Sequence, residues 1–457
     1  GPGCGAAALP LGVPVASPLD GGVHEAVGVG SLAALGPMPV VEGAAWSAVP
    51  EGWTPLLMID GRPAALVRDR VVVFAVDPAG QARALRQGDP RLADGDTDGF
   101  HGVKPNDLRP FSWSKEAWIR PGAASWTEVL IAALEIGANV ALPRLWPLPS
   151  EAPSALVMTS DQDFAQASWI DPLLARVEAA GGEMTVLTTV GTRQNNDAPM
   201  DGGGGDGPPP AAWDLRVGHG VGVHPNVAGL AMPGDAEAAI DGQLDRIADF
   251  VVTTSRMHYL AWWGHAGPLP LLARRGVAMD LSFVGIEPRF GTPGFGFGAG
   301  RPMRWHDGDE VLPIWVQPTH IEDDVLIGDL SYAAGLTPAE AVEASAALLD
   351  RAMEHRVPLV ANVHPLLVVK HGGVLLDGLL AGARARGLPI LSAERQAASA
   401  TARLRFANEA TVKEAGGGWA VSGPRVEAPV WRWTQGSDCP APRAIRPGGD
   451  VGCLARQ

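Results

Sequence analysis

The chain has 457 residues, 46% of them hydrophobic, enough to bury more than one core and to exclude a largely disordered protein. Its formal net charge of -15 repels phosphate backbones and anionic membrane surfaces, so nucleic acid is not an expected partner. No run of about 18 apolar residues occurs, so no transmembrane span is expected.

Gly1-Pro2 reads as the scar of a cleaved tag, and Cys4 after Gly3 suits a lipid attachment site. Residues 1–148 read as an N-terminal α/β or β-rich domain. Leu56-Leu57-Met58-Ile59 and Val71 to Val76 are apolar runs of strand length, punctuated by Asp60-Gly61 and Asp77-Pro78. One helix is expected there, over Thr127 to Ala138, ending at Gly137-Ala138-Asn139.

From Ala155 strand-like runs alternate with helical stretches. The strands are Ala155–Thr159, Met184–Val190, Gly218–His224, Phe250–Thr254, Val277–Phe283, Leu312–Gln317, Leu359–His364 and Leu388–Leu391. Between them the spacing predicts helices over Trp169–Ala180, Asp235–Ala248, Pro338–His355 and Gly373–Arg386, the third opened by a Thr337/Glu340 capping box. Such alternation over 149–400 predicts parallel strands in a barrel or open sheet. Asn195–Ala212, with its Gly and Pro runs, reads as a surface insertion. Residues 401–457 read as a C-terminal β module and tail, with Leu404–Phe406, Gly418–Val421 and Val430–Trp433 as strands. Cys439 and Cys453 are either free thiols or a disulfide closing a loop of about 15 residues, worth about 3 kcal/mol. The loop-rich tail favours the disulfide, and with it an oxidising compartment.

In parallel α/β barrels, sites lie at the C-terminal strand ends. Polar residues collect there in this chain: Asp161 and Asp163 after the first strand, His219 and His224 on the third, Arg256 and His258 after the fourth. Asp280 is on the fifth, His320 to Asp324 follow the sixth, and Asn362 and His364 end the seventh. Each alone has an ordinary explanation. Asp-x-Asp after a strand is more often a turn or cap, a lone His more often a satisfied core residue, and Glu322-Asp323-Asp324 reads as a solvated acidic loop. Their order along successive strand ends is what points to a metal hydrolase, in which N/O ligands hold a divalent ion and an acid and a base flank it.

Ala155 to Asp163 resembles the first motif of polysaccharide deacetylases (carbohydrate esterase family 4), an apolar strand ending in aspartates. Gly218 to His224 resembles the start of the second motif, and Leu359 to Pro365 the last, a strand ending in His. The resemblance implies a distorted (β/α) barrel and a metal-dependent hydrolase removing acetyl groups from a saccharide or polysaccharide. It implies Asp161 as general base, His364 as general acid, and Asp163 and His224 as metal ligands, zinc being the default ion. Two departures stand out. Ala228 occupies the place of the usual second-motif His, and Ser255-Arg256-Met257-His258 replaces the usual third motif. His258 is the candidate third ligand and Arg256 the residue that orients the base. Upstream, Leu142 to Trp146 and Trp53 with Arg62-Pro63 resemble divergent bacterial proteins in which a glutamine-amidotransferase-like region, here non-catalytic, precedes the deacetylase. An extracytoplasmic location is expected. The alternatives are a catalytically degenerate saccharide-binding or assembly protein on the same fold, a metal hydrolase of non-sugar amides, and a structural envelope protein.

Overall fold

The computed structural model describes residues 13–20, 24–96, 102–108, 115–139, 143–145, 147–148, 152–163, 165, 167–189, 218–227, 230–287, 292–295, 300–327, 333–415, 418–423 and 431–433. The insertion 195–212, Ala228 and the three cysteines, with their expected disulfide and lipid site, lie outside the described residues.

Near the N-terminus, β1 (His24–Gly28), β2 (Met38–Val40), β3 (Thr54–Ile59), β4 (Arg62–Arg68) and β5 (Val71–Phe74) form an antiparallel sheet of order β2-β1-β3-β4-β5. Asp60 and Gly61 join β3 to β4, both at positive φ (49° and 74°), the two-residue turn whose twist matches its flanking strands. Asp77-Pro78 opens a helix that was not expected, α1 (Pro78–Gln87). The Asp77 side chain accepts from Ala79 N, and proline presets the first helical φ. The expected second helix, α2 (Gly122–Ala138), ends on Asn139 in the left-handed conformation. It buries Trp126 against Leu57, Ile59 and Leu85, with the indole N–H donating to Pro39 O at 2.9 Å. The sheet is antiparallel throughout, and nothing in it displays the amidotransferase resemblance.

The central region is a mixed α/β unit around one large, mostly parallel sheet. In chain order it contains β6 (Leu156–Asp161), α3 (Ala167–Ala179), β7 (Thr185–Thr188), β8 (Gly220–Val223), α4 (Gly234–Arg246), β9 (Thr254–Ser255), α5 (Leu269–Arg274) and β10 (Met279–Asp280). There follow the hairpin β11 (Met303–Asp307) and β12 (Glu310–Val316), then β13 (Ile321–Glu322), α6 (Pro338–His355), β14 (Leu359–Asn362), α7 (Pro365–Lys370), α8 (Val374–Ala385), β15 (Ile390–Leu391) and α9 (Ala393–Glu409). Strand order is β11-β12-β10-β9-β8-β7-β6-β14-β13, with β15 also on β6. All pairs are parallel except β11 with β12. Of the expected distorted barrel, the described residues give the large parallel sheet; among them, an isolated parallel bridge, Val284 to Thr319, lies between β10 and β13.

Period-2 alternation sorts the strand residues. Leu156 and Met158 of β6, with Leu359 and Ala361 of β14, pack under α3, α6 and α8. Val157, Leu187, Met279 and Val360 face the other way, where Ala393 and Ala397 of α9 meet them. Thr159 and Asp161 continue the Val157 face, and Asn362 the Val360 face, so one surface is apolar at one end and polar at the other. Glu394, in the first turn of α9, bonds the Thr254 hydroxyl at 2.7 Å and also that of Thr185, which ties the helix to the strand starts.

Beyond 400 the sequence expectation fails in part. Leu404–Phe406 is not a strand but lies inside α9, which crosses residue 400; Ser392 caps the helix, and Phe406 is buried. Thr411–Ala415 and Gly418–Ser422 do form a hairpin. Trp431–Trp433 pairs instead with Pro143–Leu145, antiparallel, tying the tail to the segment before β6. Among the described residues, no helix is long and apolar enough to cross a membrane.

The capping box on α6 is present as expected: Glu340 N donates to Thr337 Oγ1 at 3.3 Å, and Thr337 N to Glu340 Oε2 at 2.8 Å. Thr337→Ala should lower stability by about 1 kcal/mol, seen as a shift in the urea midpoint at unchanged slope.

Candidate metal centre

Asp161, the last residue of β6, is buried. Its two oxygens each receive Arg256 Nη1 at 3.2 Å, and Oδ2 also receives Asn362 Nδ2 at 3.0 Å. Arg256 is fully buried in the turn after β9. Its Nε donates to Leu281 O at 3.2 Å, Nη2 donates to the Thr319 hydroxyl, and Nη1 lies 3.7 Å from Glu322 Oε1.

Asp163 sits just past β6 at φ 48°, a left-handed conformation that aspartate tolerates better than most residues. Its Oδ1 lies 3.2 Å from His224 Nε2 and 3.6 Å from His258 Nε2, and its Oδ2 lies 3.7 Å from His364 Nε2. His224, just past β8, directs Nδ1 at Arg256 O, 2.8 Å away. With Nδ1–H donating to that carbonyl, the Nε2 lone pair faces Asp163, the tautomer of a metal-binding imidazole. His258 is held by its backbone N–H on Pro225 O at 3.0 Å, which ties the β9 turn to the β8 turn. The two rings meet edge-on, 5.0 Å between centroids.

His364, just past β14, completes the group. Its Nε2 is 3.9 Å from Asp161 Oδ2, while Nδ1 meets Asp323 Oδ1 at 2.6 Å and its backbone N–H meets Asp323 Oδ2 at 2.8 Å. Asp323 therefore fixes both the ring and the chain that carries it.

The electrostatics separate the groups. Burial alone would raise the Asp161 carboxyl, but Arg256, His224 and His364 outweigh it and hold it below the usual range. Asp163 is likewise pulled down against burial by His224, His364 and His258. For His364, burial opposes the charged ring, yet Asp323, Asp324 and Asp163 raise it well above an ordinary imidazole. Glu322, buried beside Asp324 and Asp161, is pushed up to about 8 despite Arg256.

The donor set fits a divalent ion. Asp163 Oδ1 is sealed from solvent and makes no hydrogen bond of good geometry, yet it faces two imidazole nitrogens. Ligands of a tetrahedral zinc at 2.0–2.1 Å stand about 3.3 Å apart, and the separations of 3.2 and 3.6 Å bracket that. Among the described residues, Asp163, His224 and His258 form one of two clusters whose ligand atoms lie within 4.8 Å; Asp323, Asp324 and His364 form the other. In the second, His364 Nδ1 is already engaged by Asp323.

All six sequence-predicted site residues, Asp161, Asp163, His224, Arg256, His258 and His364, thus converge. Three other strand-end residues do not join them. His219 accepts from Met184 N at 3.2 Å and faces Glu178, His320 accepts from Val360 N at 2.9 Å, and Asp280 turns to Ser255. The acidic loop was misread: Glu322 and Asp323 are buried. Glu322 ends β13, only two residues long, which offers no apolar run to mark it as a strand, and Asp323 begins the helix that follows.

No protein-family model matches the chain, and neither does any curated protein. Solved structures similar to it include one provisionally assigned as a polysaccharide deacetylase of O-antigen biosynthesis from Bordetella bronchiseptica, at 17% identity and TM-score 0.31, covering 51% of this chain and 93% of that one. A second, provisionally assigned as a polysaccharide deacetylase from Mycobacterium smegmatis, is 16% identical at TM-score 0.38, covering 58% and 95%. The carbohydrate deacetylase Agd3 is 9% identical at TM-score 0.34, covering 90% and 75%. These TM-scores are low, and what the site can do is decided by its own side chains.

Removing the guanidinium should be severe. Arg256→Met leaves Asp161 and Glu322 buried without their cation, an expected loss of about 3–5 kcal/mol in urea unfolding. With Asp161 no longer held below its unfolded value, the stability it contributes above the ordinary carboxylate range disappears. The deficit should therefore be largest at neutral pH and shrink as both proteins are taken below that range.

Proposed function

We propose that the chain is a metal-dependent hydrolase that removes acetyl groups from a saccharide or polysaccharide, with zinc as the ion. The observation that carries this is the convergence of Asp161, braced by Arg256, and His364, braced by Asp323, on the Asp163, His224 and His258 cluster. Two titratable groups pushed apart by their surroundings are the mark of an assigned base and acid.

Asp163, His224 and His258 would hold the ion. The chemistry supplied by a bound divalent ion is polarisation of the acyl carbonyl and acidification of water. Asp161 is kept ionised by Arg256, so its Oδ2 takes the proton of the attacking water, with Asn362 steadying that oxygen. His364 has Nδ1 committed to Asp323, so Nε2 delivers the proton to the departing nitrogen or oxygen. Asp323 acts through His364, fixing the ring and favouring its charged form.

The sheet then corresponds to a distorted barrel open at the β10–β13 seam, preceded by an N-terminal domain to residue 148 and followed from 401 by a β module, in an extracytoplasmic protein. The amidotransferase-like origin of the N-terminal region is part of the same proposal, and rests on the sequence resemblance alone.

Elemental analysis of purified protein tests the metal: near-stoichiometric zinc in the wild type, lost in His258→Ala, is expected. Acetate release from a panel of N- and O-acetylated oligosaccharides tests the reaction. Asp161→Asn should lower kcat by about 10²–10⁴-fold while zinc content is kept. Absence of metal even after reconstitution would sink the hydrolase and leave a saccharide-binding protein on the same fold.

A further inference from the structure

We infer that Asp280, which no step of the proposed reaction uses, is a positioning residue that holds the Ser255–His258 turn in its metal-binding form. The inference rests on the metal-hydrolase proposal above.

Asp280 ends β10 and is fully buried, as are Ser255 and Ser282. Its carboxylate collects three hydrogen bonds: Ser255 Oγ at 2.8 Å and Ser282 Oγ at 3.0 Å on Oδ2, and Ser282 N at 3.0 Å on Oδ1. The Ser282 hydroxyl, its proton committed to Asp280, presents a lone pair to Met257 N at 3.0 Å. Ser255 and Met257 flank Arg256, so one carboxylate grips the chain on both sides of that residue.

Three parts of the centre depend on where this turn lies. Arg256 O receives His224 Nδ1 and so sets that ring. The Arg256 guanidinium reaches Asp161, with Nε braced on Leu281 O, the residue after Asp280. His258 follows two residues later, its Nε2 3.6 Å from Asp163 Oδ1. Asp280 thus stands behind two of the three candidate ligands and behind the residue that holds the base.

A purely packing role does not call for a charge here. Burial opposes the ionised form and pushes the carboxyl up to about 6, and an apolar side chain would fill the space without that penalty. What an apolar residue lacks is an acceptor that aims two serine hydroxyls at once. Partners of metal ligands at this remove typically change metal affinity 10–100-fold when lost.

The test is zinc affinity of the full chain, measured with ZnCl₂ against a chromophoric chelator, for wild type, Asp280→Asn, Ser282→Ala and a destabilised core control, Leu379→Ala. Asp280→Asn should bind zinc 10–100-fold more weakly, Ser282→Ala should be weakened in the same direction, and Leu379→Ala should keep wild-type affinity. Co(II) bound in place of zinc adds a spectroscopic check: its visible band should change in Asp280→Asn and not in the control. If Asp280→Asn fails to fold, Ser282→Ala carries the comparison. Wild-type affinity and an unchanged Co(II) band in the Asp280 and Ser282 variants would overturn the inference while leaving the hydrolase standing. An equal loss in Leu379→Ala would overturn it too, because general loosening would then suffice. A wild type that binds neither ion would overturn the hydrolase and this inference together.

Discussion

One buried cation organises the centre. Arg256 is out of water, and its guanidinium lies between Asp161 at 3.2 Å and Glu322 at 3.7 Å. A lone charge in that position would be prohibitive; planar Arg, always charged and carrying five donors, is the residue that can satisfy several acceptors at once. A single positive charge cannot keep two nearby carboxylates equally ionised. The nearer one, Asp161, is held below the ordinary range and the farther one, Glu322, is pushed up to about 8. The nearer of the two, Asp161, is the proposed base, while burial with Asp324 and Asp161 alongside keeps Glu322 high.

The same logic, with signs reversed, sets His364. Its ring is buried, which disfavours charge, yet Asp323 holds it through both Nδ1 and the backbone N–H. Asp323 has little freedom to swing away, since it begins the short helix Asp323–Ile327 and is itself buried. The main partners of the proposed base and the proposed acid, Arg256 and Asp323, come from different strand ends. Asp161 Oδ2 and His364 Nε2 stand 3.9 Å apart, the carboxyl held low and the imidazole held high by their surroundings.

Much of this was legible in the sequence because parallel strands carry their chemistry at their C-terminal ends. Asp161, His224, Arg256 and His364 each end or follow an apolar run that marks the strand, and alternation tells which face they take. Failures occurred where that mark is missing. β13 is two residues long, so Glu322-Asp323-Asp324 looked like an exposed loop although two of the three are buried. Asn362 is placed at a strand end by the sequence, but nothing local reveals that its amide will meet Asp161 across the β6–β14 pair. Asp77-Pro78 reads as punctuation after a strand, yet the same two residues also satisfy the rules for starting a helix. In the tail, Leu404–Phe406 has strand-like composition, but α9 has begun at Ser392 and nothing between stops it.

The sequence departure at Ala228 takes on a different meaning in three dimensions. A third ligand need not come from the same loop as His224, provided another strand end reaches the same atom. The turn after β9 does this through Arg256, which bonds forward to Asp161 and, by its carbonyl, sideways to His224. The same turn carries His258 two residues later, its Nε2 3.6 Å from Asp163 Oδ1. The residue proposed to orient the base and the proposed third ligand therefore share one turn, Ser255 to His258.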